Sequence, residues 1–240
     1  MKSCQDREGA DLLDFRSLAQ LPSSSKFTSI AIFDLDHTLL NVNSSYCFGK
    51  FLYRQGVFST LLMFKLVSFY AMHKAGILSI KNLQLKIFST LFKGRSYQFF
   101  YEKARVFIQE YLPEMYYQPA VKEFKDAQAQ GAFVVILSSA PDFLVGLIAR
   151  ELGAVHWEAT AYSVARSGNF SSISRFLLGN EKAIYSILCS EKLGIDKVNI
   201  TAYTDSILDL PLLNSAGNKV AVKPDRQLKA LSKYHSWRVI

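Results

Sequence analysis

The chain has few cysteines and no sequence feature of an exported or repetitive protein. Its 240 residues contain three cysteines, at positions 4, 47 and 189. This odd, widely spaced set predicts neither a disulfide framework nor a zinc site. A reducing compartment suits such a chain, and we expect the protein to be cytoplasmic. No internal repeat or low-complexity segment is present, so a solenoid or an unfolded polar chain is not expected.

Long runs of one charge are also absent. The 28 basic and 20 acidic residues give a net charge of +8, but the lysines and arginines are scattered, with no block of five or six. We therefore interpret the charge as general surface charge and not as a nucleic-acid-binding surface, and we expect no nucleic-acid partner. Residues 1–26 are polar and lack an apolar stretch long enough for a signal peptide, which predicts a mobile leader.

The sequence is rich in apolar residues, and they occur in short runs. Half of the residues are apolar, and the continuous run Ile30–Phe33 is typical of a strand that is buried on both faces. Alternation of strands and helices after residue 118 predicts an α/β fold with a doubly wound, mostly parallel sheet. A helical insert would occupy residues 44–117, and the sheet-forming core would comprise residues 27–43 and 118–240.

The other predicted elements of the core follow from apolar runs and turn residues. The predicted helices cover 119–130, 143–152 and 180–193, with Asn180 as a helix cap and Gly194 as a stop. The predicted strands cover 133–137, 154–156, 198–203 and 219–222, with an edge strand at 237–240. A hairpin is predicted within 160–170, with its turn at 167–169.

Polar residues that suit phosphate chemistry recur where these strands end. Asp34 and Asp36 follow the first strand, Ser138 and Ser139 follow the second, and Asp205 follows the strand 198–203. The remaining candidates are Lys182, at the start of a helix, and Asp209. Ligands of open α/β sheets bind at the carboxyl ends of the strands. Paired carboxylates there indicate a hard divalent cation such as Mg²⁺.

These residues resemble the motifs of the haloacid dehalogenase superfamily of aspartate-nucleophile phosphohydrolases. Residues 33–38 (FDLDHT) are similar to its first motif, Ser138 to its second, residues 179–182 (GNEK) to its third and residues 205–213 (DSILDLPLL) to its fourth. The position of the insert resembles the phosphoserine phosphatase-like branch, in which a mobile cap covers the site. The resemblance implies a three-layer, Rossmann-like core. Many members carry Gly where His37 and Thr204 stand here.

The resemblance also implies a role for each residue. Asp34 would be the nucleophile that forms an aspartyl-phosphate, and Asp36 the acid and base, with their pKa values pushed apart. Asp34, the Asp36 backbone carbonyl and Asp205 would hold Mg²⁺. Lys182 would balance the phosphoryl charge. Ser138, Ser139 and Thr38 would bind the phosphate, and Thr38 would also steady the loop. Asp209 would orient Lys182 or a metal-bound water. For His37 a solvent-facing loop position is favoured over a role in proton transfer.

The sequence does not identify the substrate. The resemblance favours a small phosphorylated metabolite, similar to phosphoserine. The apolar stretch 58–78, with basic residues in the same insert, makes a lipid phosphate an alternative, with the cap in peripheral contact with a membrane. Lys65 interrupts that stretch, so packed cap helices are favoured over a spanning helix. A non-catalytic phosphate-binding protein is a third hypothesis. The sequence does not indicate an oligomeric state.

Overall fold

The computed structural model describes Phe15, Leu18, Leu21 and residues 26–240. Most of the leader predicted for residues 1–26 therefore lies outside the described residues. Phe15 and Leu21 fall within it but are buried, and the ring of Phe15 packs edge-on against Tyr185 with 5.1 Å between centroids. The expectation of a mobile leader does not hold for these two residues, because their side chains are part of a buried core.

Within the described residues, seven strands form one sheet in the order β4-β3-β2-β1-β5-β6-β7. All neighbouring pairs are parallel except the antiparallel pair of β3 and β4. The strands are β1 (Ile30–Phe33), β2 (Phe133–Pro141), β3 (His156–Val164), β4 (Phe170–Arg175), β5 (Ile200–Thr204), β6 (Asn218–Ala221) and β7 (Arg238–Val239). The prediction of a mostly parallel, doubly wound sheet is confirmed.

Helices cover both faces of the sheet. They are α1 (Ser44–Arg54), α2 (Thr60–Lys74), α3 (Ile80–Leu91), α4 (Tyr97–Met115), α5 (Gln118–Ala129), α6 (Asp142–Leu152), α7 (Gly179–Leu193), α8 (Leu210–Ser215) and α9 (Arg226–Tyr234). Helices α1–α4 fall in the segment where an insert was predicted. None of the helices in residues 26–240 has both the length and the apolar character needed to cross a membrane.

Alternate residues of β1 belong to two separate cores. Ala31 and Phe33 face the core that α5 and α6 cover, whereas Ile30 and Ile32 face the core that α7, α8 and α9 cover. Because side chains alternate across a strand, a strand that is apolar throughout must be covered on both sides. The result is the three-layer arrangement of helices, sheet and helices.

Several boundaries differ from those predicted. Strand β2 continues to Pro141, so Ser138 and Ser139 lie inside it, next to an irregularity in its pairing with β3. The separate strands predicted at 154–156 and from residue 160 are one strand, β3, and the hairpin turn spans 165–169. Asn180 is not the cap of α7: the helix begins at Gly179, after Leu178.

The two connections between the insert and the sheet run side by side. Leu40 and Tyr116 form an isolated antiparallel bridge, and the Asn41 amide donates to the carbonyl of Met115 at 2.7 Å. The Asn41 side chain also donates to the Tyr116 carbonyl at 2.9 Å. The chain thus leaves the core for helices α1–α4 and returns to it at the same place.

Candidate active site

Asp34 lies at the carboxyl edge of the sheet, at its centre. It directly follows β1, and its backbone N–H donates to the Tyr203 carbonyl of β5 at 2.9 Å. The parallel register places Phe33 level with Ile136 and Tyr203. Residues that follow β1, β2 and β5 therefore meet at this edge, and Asp34 is buried among them.

Lys182 connects two of the acidic residues. Its Nζ lies 2.6 Å from Oδ1 of Asp34 and 2.6 Å from Oδ2 of Asp209, and all three residues are buried. Burial lowers the pKa of Lys182, but Asp209 and Asp34 outweigh it and raise the pKa. Lys182 is therefore a fixed positive charge, as expected for a residue that balances the charge of a phosphate.

Gly179 permits this contact, a role that the sequence did not reveal. A Cβ atom at Gly179 would lie 2.0 Å from the backbone oxygen of Leu208. The first turn of α7 thus packs directly on the short helical turn Ile207–Asp209. Glu181 satisfies the start of the helix, since its Oε2 accepts from the Leu178 N–H at 3.2 Å, which explains why Asn180 is not needed as a cap.

Asp36 is held by the start of α1. Its Oδ1 accepts from the Ser44 N–H at 2.8 Å, and its Oδ2 accepts from the Asn43 side chain at 3.0 Å. Asn43 also caps α1, because its Oδ1 accepts from the Tyr46 N–H at 2.8 Å. Burial raises the pKa of Asp36, and the Ser44 hydrogen bond opposes that shift. The Asn43 side chain was missed by sequence reasoning, although an Asn before a helix is a familiar cap.

Thr38 lies between two carboxylates. Its Oγ1 lies 3.3 Å from Oδ1 of Asp205 and 3.5 Å from Oδ2 of Asp34. A hydroxyl has one proton to donate, and here a carboxylate accepts it. These contacts fit the predicted role of steadying the loop. They do not place Thr38 as a phosphate ligand.

The acidic groups outnumber the cation beside them. Burial raises the pKa of Asp34 to about 8, and Asp209 and Asp205 add to that shift while Lys182 opposes it. Burial likewise raises the pKa of Asp205 to about 6. Three carboxylates share a single ammonium, so their charged forms lack sufficient positive charge. A divalent cation on the side where Asp34 and Asp205 face Thr38 would favour those charged forms.

The donor set is the kind that Mg²⁺ uses. In residues 26–240, no three acidic, histidine or cysteine side chains converge in a metal-binding geometry. Mg²⁺ instead takes one or two carboxylates and retains several waters. Asp34 and Asp205 supply two carboxylates, and the Asp36 backbone carbonyl is the third protein ligand predicted from the sequence.

Ser138 and Ser139 lie on the neighbouring strand. Ser138 is buried, and its Oγ accepts from the Ala140 N–H at 3.2 Å, which leaves the hydroxyl proton available to a phosphoryl oxygen. The Ser139 carbonyl accepts from the Gln84 side chain of α3 at 3.1 Å. Gln84, which the sequence did not single out, therefore connects the insert to this strand.

The two departures from the resemblance have different structural reasons. His37 is exposed and adopts φ = 60°, a backbone conformation that favours glycine. Thr204 is buried, and its Oγ1 donates to Oδ2 of Asp209 at 2.9 Å. Thr204 thus adds a partner to the carboxylate that contacts Lys182. Neither residue displaces an acidic group of the site.

Known proteins resemble the chain over most of its length. A probable phosphatase of Mycobacterium tuberculosis is 29% identical over 216 residues, which cover 88% of this chain and 74% of that protein. A structure of a protein with unknown function from Bordetella pertussis superposes with a TM-score of 0.79 at 22% identity, covering 90% of this chain and 99% of that one.

A second solved structure, a phospho-aspartyl intermediate analogue of phosphoserine phosphatase, gives a TM-score of 0.61 at 19% identity, with 89% of this chain and 93% of that one covered. At such identities the structures show the fold. A sequence profile of one family matches residues 31–214, which include the four motifs and the acidic cluster around Lys182. The chain belongs to the haloacid dehalogenase-like hydrolases.

Proposed function

We propose that the protein is a Mg²⁺-dependent phosphomonoester hydrolase that works through an aspartyl-phosphate on Asp34. One observation carries the proposal. The Asp34 carboxylate lies at the central strand end, 2.6 Å from a buried ammonium on one side and facing a second carboxylate across Thr38 on the other. This arrangement suits a nucleophile that must approach an anionic phosphate.

The proposed reaction consists of two successive displacements at phosphorus. In the first, a carboxylate oxygen of Asp34 attacks phosphorus, the bond from phosphorus to the leaving oxygen breaks, and Asp36 gives that oxygen its proton. In the second, Asp36 accepts a proton from water while the water oxygen attacks phosphorus. The bond to Asp34 then breaks and inorganic phosphate leaves.

Burial raises the pKa of Asp36 and that of Asp34 alike, so the assignment of Asp36 as the proton donor rests on its place in the first motif. Lys182 holds one oxygen of Asp34 in place. The Ser138 hydroxyl, with Ser139 beside it, would bind phosphoryl oxygens.

Mg²⁺ would be held by Asp34, Asp205 and the Asp36 carbonyl. When bound, it supplies the positive charge that lets an ionised carboxylate meet a phosphate dianion. The proposed substrate is a small phosphorylated metabolite of the phosphoserine kind. Helices α1–α4 would form a cap over the site and select the leaving group.

An aryl phosphate assay tests the nucleophile. We expect p-nitrophenyl phosphate to be hydrolysed only with Mg²⁺, and vanadate, which mimics the transferring phosphoryl group, to inhibit. Asp34→Asn should abolish turnover, whereas Asp196→Asn, at an exposed position, should not. Unchanged turnover by Asp34→Asn would rule out this nucleophile.

A substrate panel tests the leaving group. It should include phosphoserine, sugar phosphates, nucleotides and lysophosphatidic acid, each with and without Mg²⁺. A clear preference for lysophosphatidic acid would favour the lipid-phosphate alternative. Thermal stabilisation by phosphates without any turnover would favour a non-catalytic binding protein.

A further inference from the structure

Helix α2 is apolar on its outer side as well as on its inner side. Leu62, Met63 and Leu66 contact the core, yet none of the residues of this fully described helix is buried. Helix α2 therefore packs on the rest of the protein through its inner side only. Its outer apolar residues, with one from the loop that follows, form what we call the α2 patch: Leu61, Phe64, Val67, Tyr70 and Ile77.

The α2 patch is strongly exposed. Leu61 is 80% exposed, Phe64 69% and Ile77 71%. With about 3.6 residues per turn, Leu61, Phe64, Val67 and Tyr70 step around the outer side of α2 at a spacing of three. A contiguous set of large apolar side chains at a protein surface marks an interaction site.

The segment that contains the patch also carries the net charge of the protein. Residues 37–101 contain no Asp or Glu, and they contain eight of the 28 basic residues. The other 20 basic residues are matched by the 20 acidic ones, so the whole net charge of +8 arises from this segment. In the part of the chain that the structure describes, none of the eight basic side chains forms an ion pair. Their charge is available to an outside partner.

Lysines border the apolar residues. Lys65 lies one turn after Leu61, and Lys74 lies one turn after Tyr70, with its Nζ 5.4 Å from the centroid of that ring. Lys86 of α3 joins Lys65 above the ring of Phe69, at 5.4 and 5.8 Å. Positive charge from two helices is thus concentrated beside the α2 patch.

We propose that the α2 patch docks on the surface of an anionic lipid bilayer. Apolar side chains would enter the boundary between headgroups and acyl chains, and the surrounding lysines would attract anionic headgroups. A second copy of the chain is a poorer partner, because pairing two such surfaces would bring like charges together without an acidic residue to offset them.

Docking would take place close to the candidate active site. Helix α2 packs on α3, and Gln84 of α3 donates to the Ser139 carbonyl beside the proposed phosphate site. The bilayer contact does not rest on the proposed hydrolase activity. A vesicle assay without substrate therefore tests it separately.

Co-sedimentation of the full chain with vesicles is the test. We expect binding to vesicles of phosphatidylcholine mixed with an equal amount of phosphatidylglycerol, weak binding to phosphatidylcholine alone, and weaker binding as salt is raised. Leu61→Ser with Phe64→Ser should abolish binding. Lys65→Glu with Lys74→Glu should lower vesicle partitioning by about fivefold or more per lysine.

Matched controls change equally exposed residues elsewhere. Val155→Ser removes an apolar side chain that is 81% exposed, and Lys229→Glu with Lys233→Glu reverses two exposed charges on α9. Both should bind like the unchanged protein, and a melting temperature close to that of the unchanged protein would show that the α2 variants fold.

Failure to bind anionic vesicles, or binding that Leu61→Ser with Phe64→Ser leaves intact, would overturn the proposal. A dimer that the same double variant dissociates would also overturn it and assign the α2 patch to a second copy.

Discussion

Gly179 and Leu208 approach each other so closely that a single methyl group between them cannot be accommodated. A Cβ at Gly179 would lie 2.0 Å from the Leu208 backbone oxygen and 3.1 Å from its carbonyl carbon. Lys182 is one turn further along α7, and Asp209 directly follows Leu208. The contact between two backbones therefore sets the distance between the two charged side chains.

Gly179→Ala should separate α7 from the turn Ile207–Asp209. We expect the free energy of unfolding to fall by about 1–3 kcal/mol, as for an overpacked site. The kcat should fall as well, because Lys182 and Asp209 would lose their alignment. Gly49→Ala is the control: Gly49 lies inside α1 with open space around it, and this change should stabilise by about 1 kcal/mol. Equal melting temperatures for both variants would contradict the role of Gly179.

Mg²⁺ should stabilise the protein against heat through Asp205. Burial raises the pKa values of Asp34 and Asp205, and a divalent cation beside them would favour their charged forms. A ligand that binds only the folded state raises the melting temperature. We expect added MgCl₂ to do so for the unchanged protein and for Asp196→Asn, and to have little effect on Asp205→Asn. An equal Mg²⁺ response of Asp205→Asn would exclude Asp205 as a ligand.

His37 should be replaceable by residues that tolerate its backbone conformation. Gly and Asn adopt positive φ readily, whereas a β-branched residue does so at a cost of about 1–2 kcal/mol. His37→Gly and His37→Asn should keep kcat and the pH profile, and His37→Val should lower the melting temperature. If His37→Asn removes one limb of the pH profile, the imidazole takes part in proton transfer instead.

Acid should remove the stabilisation that Glu123 provides. Its carboxylate accepts from Arg238 at 2.9 Å and from the Tyr203 hydroxyl at 3.2 Å. The Arg238 hydrogen bond lowers the pKa of Glu123 in the folded state. This contribution is therefore present above the unfolded pKa and is lost as pH falls through the folded value.

Glu123→Gln should lower the free energy of unfolding at neutral pH by less than about 1 kcal/mol, since Arg238 is largely exposed. The variant and the unchanged protein should converge as pH falls through the lowered folded-state pKa of Glu123. Asp126→Asn, in the exposed pair with Lys122, is the control and should show a much smaller change. A difference for Glu123→Gln that persists in acid would point to lost packing.

The sheet and its acidic edge follow from the sequence because each depends on local pattern. The run Ile30–Phe33 is apolar at every position, so it had to lie between two layers, and Asp34 had to emerge at its end. Asp205 follows β5 in the same way. The fold class and the family were therefore predictable from a few short stretches.

The contacts around the site were not predictable, because they depend on how distant elements approach. Asn43 looks like an ordinary helix cap until α1 is placed against Asp36. Glycine at position 179 signals flexibility in sequence, whereas its actual role is to allow two backbones to touch. The outer side of α2 looked like core, since apolar composition alone does not say whether anything covers it.

The extended pair at Leu40 and Tyr116 lies next to the residues that hold Asp36. The segment from residue 41 to Ser44 runs directly from this pair into the hydrogen bonds that Asn43 and Ser44 donate to the Asp36 carboxylate. In the proposed reaction Asp36 gives its proton to the leaving group. The same short segment that joins the sheet to α1 would therefore also fix the orientation of the acid.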